Sequence, residues 1–192
     1  MKNKELRSLV EFRAVDDEDM IIEGKAVSFN SPTVLYEIDG IEYKEQISDK
    51  AFDDADMKDC CLKYNHSDSV PILARTRGGS LELEKKKDGL YFKARLFNTS
   101  VARDCYELVK QGALKCSFAF TIKADEYNSK ERMRTIKEVD KLFDVSVVDI
   151  PAYDDTFASA RSFFELEREK ELLESRNEQK RKLALKLTLG GF

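Results

Sequence analysis

The chain has 192 residues, enough for one domain, or one domain with an appendage, and for a core that needs no staples. Its 33 Lys and Arg against 37 Asp and Glu leave a net charge of −4, which argues against a dedicated nucleic-acid binder, and 36% charged residues point to a long solvated helix or tail. The single histidine, His66, excludes multi-histidine metal sites and two-histidine relays within one chain, and no apolar run nears the ~20 residues that span a bilayer. The first twenty residues are charged throughout and hold no signal-peptide core, so a cytosolic setting is expected. Cys60, Cys61, Cys105 and Cys116 fit neither a zinc knuckle nor a CxxC pair and read as free thiols. No metal or cofactor is expected.

In chain order, Met20–Phe29 reads as a strand with a glycine irregularity, and Asn30-Ser31-Pro32 as a turn. Tyr43–Ile47 is a short strand-like segment, and Asp49–Ala55 opens a small helix. Cys60–His66 reads as a strand that puts Leu62, Tyr64 and His66 on one face. A meander follows: Leu73–Arg75, the Gly78-Gly79 break, Ser80–Glu84, the Lys87-Asp88-Gly89 hairpin signal and Leu90–Phe97. Thr99–Gln111 is the clearest helix, capped by Asn98 or Thr99 and stopped by Gly112, with Val101, Cys105, Leu108 and Val109 on its apolar stripe. Leu114–Ile122 is a strand whose even positions are apolar and whose odd positions, Ser117 among them, are small or polar. After a polar turn over Asp125–Arg132, Thr135–Ile150 holds one or two strands, and Pro151 stops them. From Phe163 to Lys186 mixed charges at helical spacing predict a solvated helix or a disordered tail. The domain boundary is expected near Phe164, giving units 1–164 and 165–192.

The residues that could do chemistry are His66, Ser117 and Asp144. A serine nucleophile needs a base within hydrogen-bond reach, and His66 is the only imidazole available. A hairpin turning near Lys130 would set Ser117 opposite Leu142 to Asp144, with Asp144 sharing a side with Leu142 and Ser146; a one-residue bulge would align it with Ser117. Ser117 would then open into a groove from the polar face. The bland readings stand beside this one. A lone histidine is usually a surface or satisfied core residue, and a serine on a polar strand face is ordinarily a strand residue. Asp144, in an apolar strand, is either exposed or paired with Lys123 or Arg134, because an unpaired buried carboxylate is costly. Cys116 should point into the core, which disfavours it as a nucleophile. The adjacent Cys60 and Cys61 point to opposite faces, which disfavours a metal site with His66. A G-x-S-x-G elbow is absent.

The order of the segments resembles the prohead (capsid maturation) protease family of tailed phages, distant relatives of the herpesvirus assemblins. The matching stretches are EGKAVSFNSPT (Glu23–Thr33), KEQISDKAF (Lys44–Phe52), KYNHS (Lys63–Ser67), GGSLELEKKKDGLYFKARLFNTSVARD (Gly78–Asp104), LVKQGALKCSFAFTI (Leu108–Ile122), LFDVSVVDIPAY (Leu142–Tyr153) and ASARS (Ala158–Ser162). The resemblance implies a serine endopeptidase. The family's N-H histidine falls on His66, the serine of its S-F-x-F motif on Ser117, and the acidic residue before V-S-V-V on Asp144. The family usually has Glu there, Gly at the position of Lys50 and Gly at that of Ala119. In the implied mechanism His66 takes the Ser117 proton, Asp144 orients the ring, and backbone N–H groups stabilise the oxyanion. By analogy with assemblin, Arg161 is an oxyanion or substrate contact.

The resemblance further implies a mostly-β, α+β fold, with an assemblin-like β-barrel core, flanking helices and a charged helical tail. It implies action within the procapsid, in the bacterial host cytoplasm. The implied substrates are the scaffold protein or the scaffold segment of the major capsid protein, and finally the chain itself. A second copy of the chain is a further partner; nucleic acid and membrane are not. The tail either docks in the scaffold core and is later cut off, or only solubilises the C-terminus. Two alternatives remain: a catalytically inactive capsid-assembly or scaffolding factor of the same fold, and a β-domain that binds a partner through its apolar strand faces.

Overall fold

In the computed structural model, which describes residues 4–9, 12–149 and 153–188, the chain forms two sheets and two α-helices. The strands are β1 (Lys4–Leu9), β2 (Phe12–Asp16), β3 (Ile21–Ser28), β4 (Thr33–Ile38), β5 (Ile41–Ile47), β6 (Cys61–Tyr64), β7 (Ala74–Arg75), β8 (Leu81–Lys86), β9 (Gly89–Arg95), β10 (Lys115–Asn128) and β11 (Met133–Val148). The helices are α1 (Ser100–Lys110) and α2 (Tyr153–Thr188). The larger sheet runs β1-β10-β11-β5-β4, with β6 and then β7 attached to the far half of β11; the smaller runs β2-β3-β9-β8. The core is shared between them, with Ile22, Leu90 and Phe92 from one sheet and Leu62, Phe118, Phe120 and Val145 from the other.

The mostly-β expectation holds, but the described residues do not close a barrel. Closure requires the outer strands of a sheet to pair. Here β1 and β4 end the main path of the larger sheet, and β11 divides its outer edge between two parallel partners. Its first residues, Met133–Ile136, take β5, and Asp144–Val147 take β6.

The long β10–β11 hairpin positions the site. Val, Ile, Phe and Thr favour extended backbone, and every residue from Cys116 to Thr121 is buried, so both faces of this stretch are covered. The polar Asp125–Arg132 segment is a turn only from residue 129 onward, because β10 continues through Asn128. The pairing slips along the hairpin, most usefully where Ala119 faces Asp144 and Phe120 faces Leu142. Phe143 is therefore an extra residue in β11. It turns Leu142 into the core beside Phe120 and leaves Asp144 and Ser146 on the other face, so the expected side shared by Asp144 and Leu142 is not observed.

Other local expectations fare unevenly. Thr99 caps α1, its hydroxyl oxygen accepting from the Ala102 N–H at 3.2 Å, and Gly112 closes the helix at φ +66°. The buried face of α1 is Ala102, Cys105, Tyr106 and Val109, with the Tyr106 hydroxyl reaching the Asp16 carbonyl and the Asp17 carboxylate, while Leu108 is exposed. Asp49–Ala55 forms successive turns instead of a helix: the Ala51 and Asp53 N–H groups donate three residues back, while Ala51 and Phe52 are drawn into the core. Helix α2 runs through position 164, where the fully buried Phe164 packs on Tyr43 at 5.3 Å and Tyr127 at 6.1 Å between ring centroids. Beyond it Leu172, Leu173, Leu183 and Leu185 are exposed.

Candidate active site

Three elements converge on one face of the hairpin. Ser117 stands on β10 opposite Ser146, and Asp144 stands opposite Ala119, one side-chain step along the same face. The difference from the expected facing of Ser117 with Asp144 comes from the accumulated register slips in the hairpin. Strand β6 pairs in parallel with β11, Asp144 with Cys61 and Val147 with Tyr64, and so delivers the chain just past Tyr64 above the serine.

His66 is not in that strand, as its sequence suggested. Asn65 and His66 both adopt left-handed backbone, at φ +52°. This conformation is uncommon for a non-glycine residue and costs of order 1–3 kcal/mol, so it persists only where surrounding contacts enforce it. Those contacts are present. The Asn65 N–H donates to the Val147 carbonyl at 2.9 Å, the Asn65 side-chain oxygen accepts from the Asp149 N–H at 3.1 Å, and the Ser67 N–H returns to Tyr64 at 3.0 Å. The turn swings the imidazole back over the hairpin.

The resulting chain of hydrogen bonds is continuous. His66 Nε2 lies 2.8 Å from Ser117 Oγ, and His66 Nδ1 lies 2.5 Å from Asp144 Oδ1. The Ser146 hydroxyl donates to the same Asp144 oxygen at 2.9 Å, and Lys4 Nζ donates to the other, Oδ2, at 2.9 Å. Ser117, Asp144 and Ser146 are fully buried, and the His66 side chain is only 11% exposed. Burial alone would push the Asp144 carboxyl up; the hydrogen bond and charge of His66 and then the Lys4 ammonium outweigh it, so its pKa lies below the ordinary 3.8. An ionised carboxylate only accepts hydrogen bonds, so Asp144 fixes the proton of His66 on Nδ1 and leaves Nε2 toward the serine.

Of the residues singled out from sequence, His66, Ser117 and Asp144 come together. Arg161 lies on α2, and its side chain is outside the described residues. Ser117 does not open into a groove: β1 covers it, and its hydroxyl also lies 2.9 Å from the Arg7 carbonyl. The expected partners of Asp144 are engaged elsewhere, Lys123 with Glu138 and Arg134 with Glu5, Glu45 and Asp125. Cys116 points into the core, and burial pushes its thiol up to about 12, which keeps it protonated and unreactive near neutral pH. Ser146 and Lys4 were not singled out. Ser146 was legible, since D-V-S puts Asp144 and Ser146 on one face, whereas Lys4 had no local signal.

In shape the chain is similar to the bacteriophage T4 capsid assembly protease, gp21, with a TM-score of 0.50 and 12% identity over 76% of this chain and 98% of that one. The fold is thus one used by a capsid assembly protease. No curated protein matches the chain. The family model described as caudovirus prohead serine protease matches residues 8–169, and the chain belongs to that family, whose members are proteases of phage capsid maturation.

Proposed function

We propose that the chain is a serine endopeptidase in which Ser117 is the nucleophile, His66 the general base and acid, and Asp144 the group that orients and charge-balances the imidazole. The observation that carries this reading is the unbroken path Ser117 Oγ, His66 Nε2, His66 Nδ1, Asp144 Oδ1, with contacts of 2.8 and 2.5 Å. As Ser117 Oγ attacks a peptide carbonyl carbon, its proton passes to His66 Nε2, and the imidazolium is held between the serine and the Asp144 carboxylate. The same proton then goes to the departing amine, leaving an acyl-serine. Water, deprotonated by His66, hydrolyses that ester and restores the serine.

The substrates we assign are the scaffold protein or the scaffold segment of the major capsid protein, and the chain itself, within the procapsid in the bacterial host. The protease domain is 1–164. The tail, 165–192, is the segment we expect to be lost, consistent with the exposure of its leucines past Phe164. One observation favours the second reading, a catalytically inactive assembly factor of the same fold: Ser117 is fully buried.

The test is intact mass over hours for the parent and Ser117→Ala, each alone and with the cognate capsid protein. Fragments from the parent only are expected. Identical fragments from both proteins, or none from either with capsid protein present, would replace the enzyme with the assembly factor.

A further inference from the structure

We propose that β1 is an autoinhibitory strand: residues Lys4–Leu9 lie along the edge of β10 beside Ser117 and hold its hydroxyl out of reaction. This rests on the catalytic reading above.

Strand β1 ends the larger sheet and pairs antiparallel with β10 from Lys4–Thr121 to Leu9–Cys116. Without it, β10 would itself be an edge, offering unpaired N–H and C=O groups on either side of Ser117 to an extended peptide. With it, that edge is filled and the nucleophile has no exposed surface.

Ser117 Oγ has one hydrogen and two acceptors within reach, Arg7 O at 2.9 Å and His66 Nε2 at 2.8 Å. Donated to Arg7 O, that hydrogen is turned away from the base. The Nε2 contact then requires a hydrogen on the ring, which cannot act as a base. Donated to Nε2, it leaves the Arg7 oxygen and Oγ facing each other lone pair to lone pair. While β1 is in place, the arrangement needed for attack carries that penalty. No bond is made or broken; the strand is a ligand held through its Arg7 carbonyl oxygen.

Besides its ladder to β10, β1 is held by ion pairs on both of its faces. Lys4 pairs with Asp144 on the face of the site. On the opposite face the buried Arg7 forks onto Glu45 at 2.5 and 2.8 Å and reaches Glu5 at 2.6 Å, and Arg134 bridges Glu5 and Glu45 at 3.2 Å. On that face, departure of β1 removes Glu5 and Arg7 together, a neutral pair, and leaves Arg134 with Glu45 and Asp125; on the face of the site Asp144 gives up Lys4 and keeps His66 and Ser146 as its donors. Removing one member of a buried ion pair strands its partner; removing a neutral pair does not.

The experiment uses the full chain and the graded variants Arg7→Lys and Arg7→Gln, which weaken the anchor on the face away from Ser117. A fluorophosphonate probe reports reactivity as intact mass gained at Ser117, with Ser117→Ala as the blank. Hydrogen exchange of the amides in 4–9 reports whether β1 is docked. Loss of the charged fork should raise the labelling rate in the order parent, Arg7→Lys, Arg7→Gln, by about tenfold or more at the end of the series. A synthetic peptide of residues 4–9 should slow labelling of Arg7→Gln. Equal labelling of parent and variants, with β1 protected only in the parent, would overturn the autoinhibition and leave the enzyme reading intact. No labelling at all in a variant whose β1 amides exchange freely would overturn both.

Discussion

Asp144→Asn keeps the shape of the side chain proposed to orient His66 and removes one acceptor, and the surroundings of this side chain dictate the outcome. Asp144 Oδ1 serves two donors, His66 Nδ1 at 2.5 Å and Ser146 Oγ at 2.9 Å, while Oδ2 serves Lys4 at 2.9 Å. An amide has one oxygen for these two sides. With the oxygen toward His66, the NH2 group faces the Lys4 ammonium, donor against donor. With the oxygen toward Lys4, the NH2 group faces His66 Nδ1 and selects the tautomer with hydrogen on Nε2, which cannot accept the Ser117 proton. In the serine-protease template this exchange costs about 10⁴ in kcat. Lys4 should therefore bias the variant toward the inactive orientation. The Lys4 side chain is 41% exposed and its ammonium can swing into water, so the bias belongs at the low end for a charged hydrogen bond, about 1.5 kcal/mol or tenfold.

The expected result is that Lys4→Met raises the activity of Asp144→Asn by about tenfold more than it raises that of the parent. Lys4→Met also loosens β1, which is why the ratio of the two effects carries the test. Probe labelling of Ser117 in the four proteins measures it, and single-turnover cleavage of capsid protein repeats it on the chemical step. If the two substitutions multiply independently, the amide is not being turned by Lys4 and the reasoning fails.

Phe164→Ala should destabilise the protein by about 3–5 kcal/mol in urea unfolding, since a fully buried ring against Tyr43 and Tyr127 is replaced by a cavity; a loss under about 1 kcal/mol would show that α2 is not docked there. Acid stability should also report Asp144. Its folded pKa is depressed, so its contribution is fully present above the ordinary 3.8 and is lost as pH falls through the lower folded value. The parent should therefore lose stability more steeply below about pH 4 than Asp144→Asn, the difference between the two curves isolating this carboxylate from the others. Parallel curves would mean that Asp144 is not held ionised by His66 and Lys4.

Elements whose signal is local were legible. The cap of Thr99, the stop at Gly112 and the hairpin at Lys87-Asp88 all lie within a few residues of what they determine. The strand parity of β10 correctly turned Cys116 into the core and Ser117 away from it. What the sequence could not supply was register. Each slip in the β10–β11 pairing changes which residue faces which, and the extra residue Phe143 reverses the side of Leu142 relative to Asp144. The position of His66 was misread for a related reason. Alternation assumes that a strand continues, and here it ends at Tyr64, two left-handed residues being held in place by Val147 and Asp149 from a distant part of the chain.

Strand β1 was illegible because its charges look like surface. K-E-L-R alternates without an apolar face, and a run of that kind is ordinarily a solvated segment. The pairing of β1 with β10 and of β5 with β11 changes the meaning of each charge. Lys4 meets the Asp144 carboxylate, while Glu5 and Arg7 on the other face complete a buried set with Glu45 and Arg134. Such a set adds less stability than an apolar core of the same volume would, because each ion gives up its water. What it adds is register. A slip of β1 by one residue would turn Glu5 and Arg7 toward the serine and Lys4 toward Arg134, placing like charges together in the interior. The alternation that hides β1 in the sequence is therefore what sets the Arg7 carbonyl, and no other in the strand, against Ser117 Oγ.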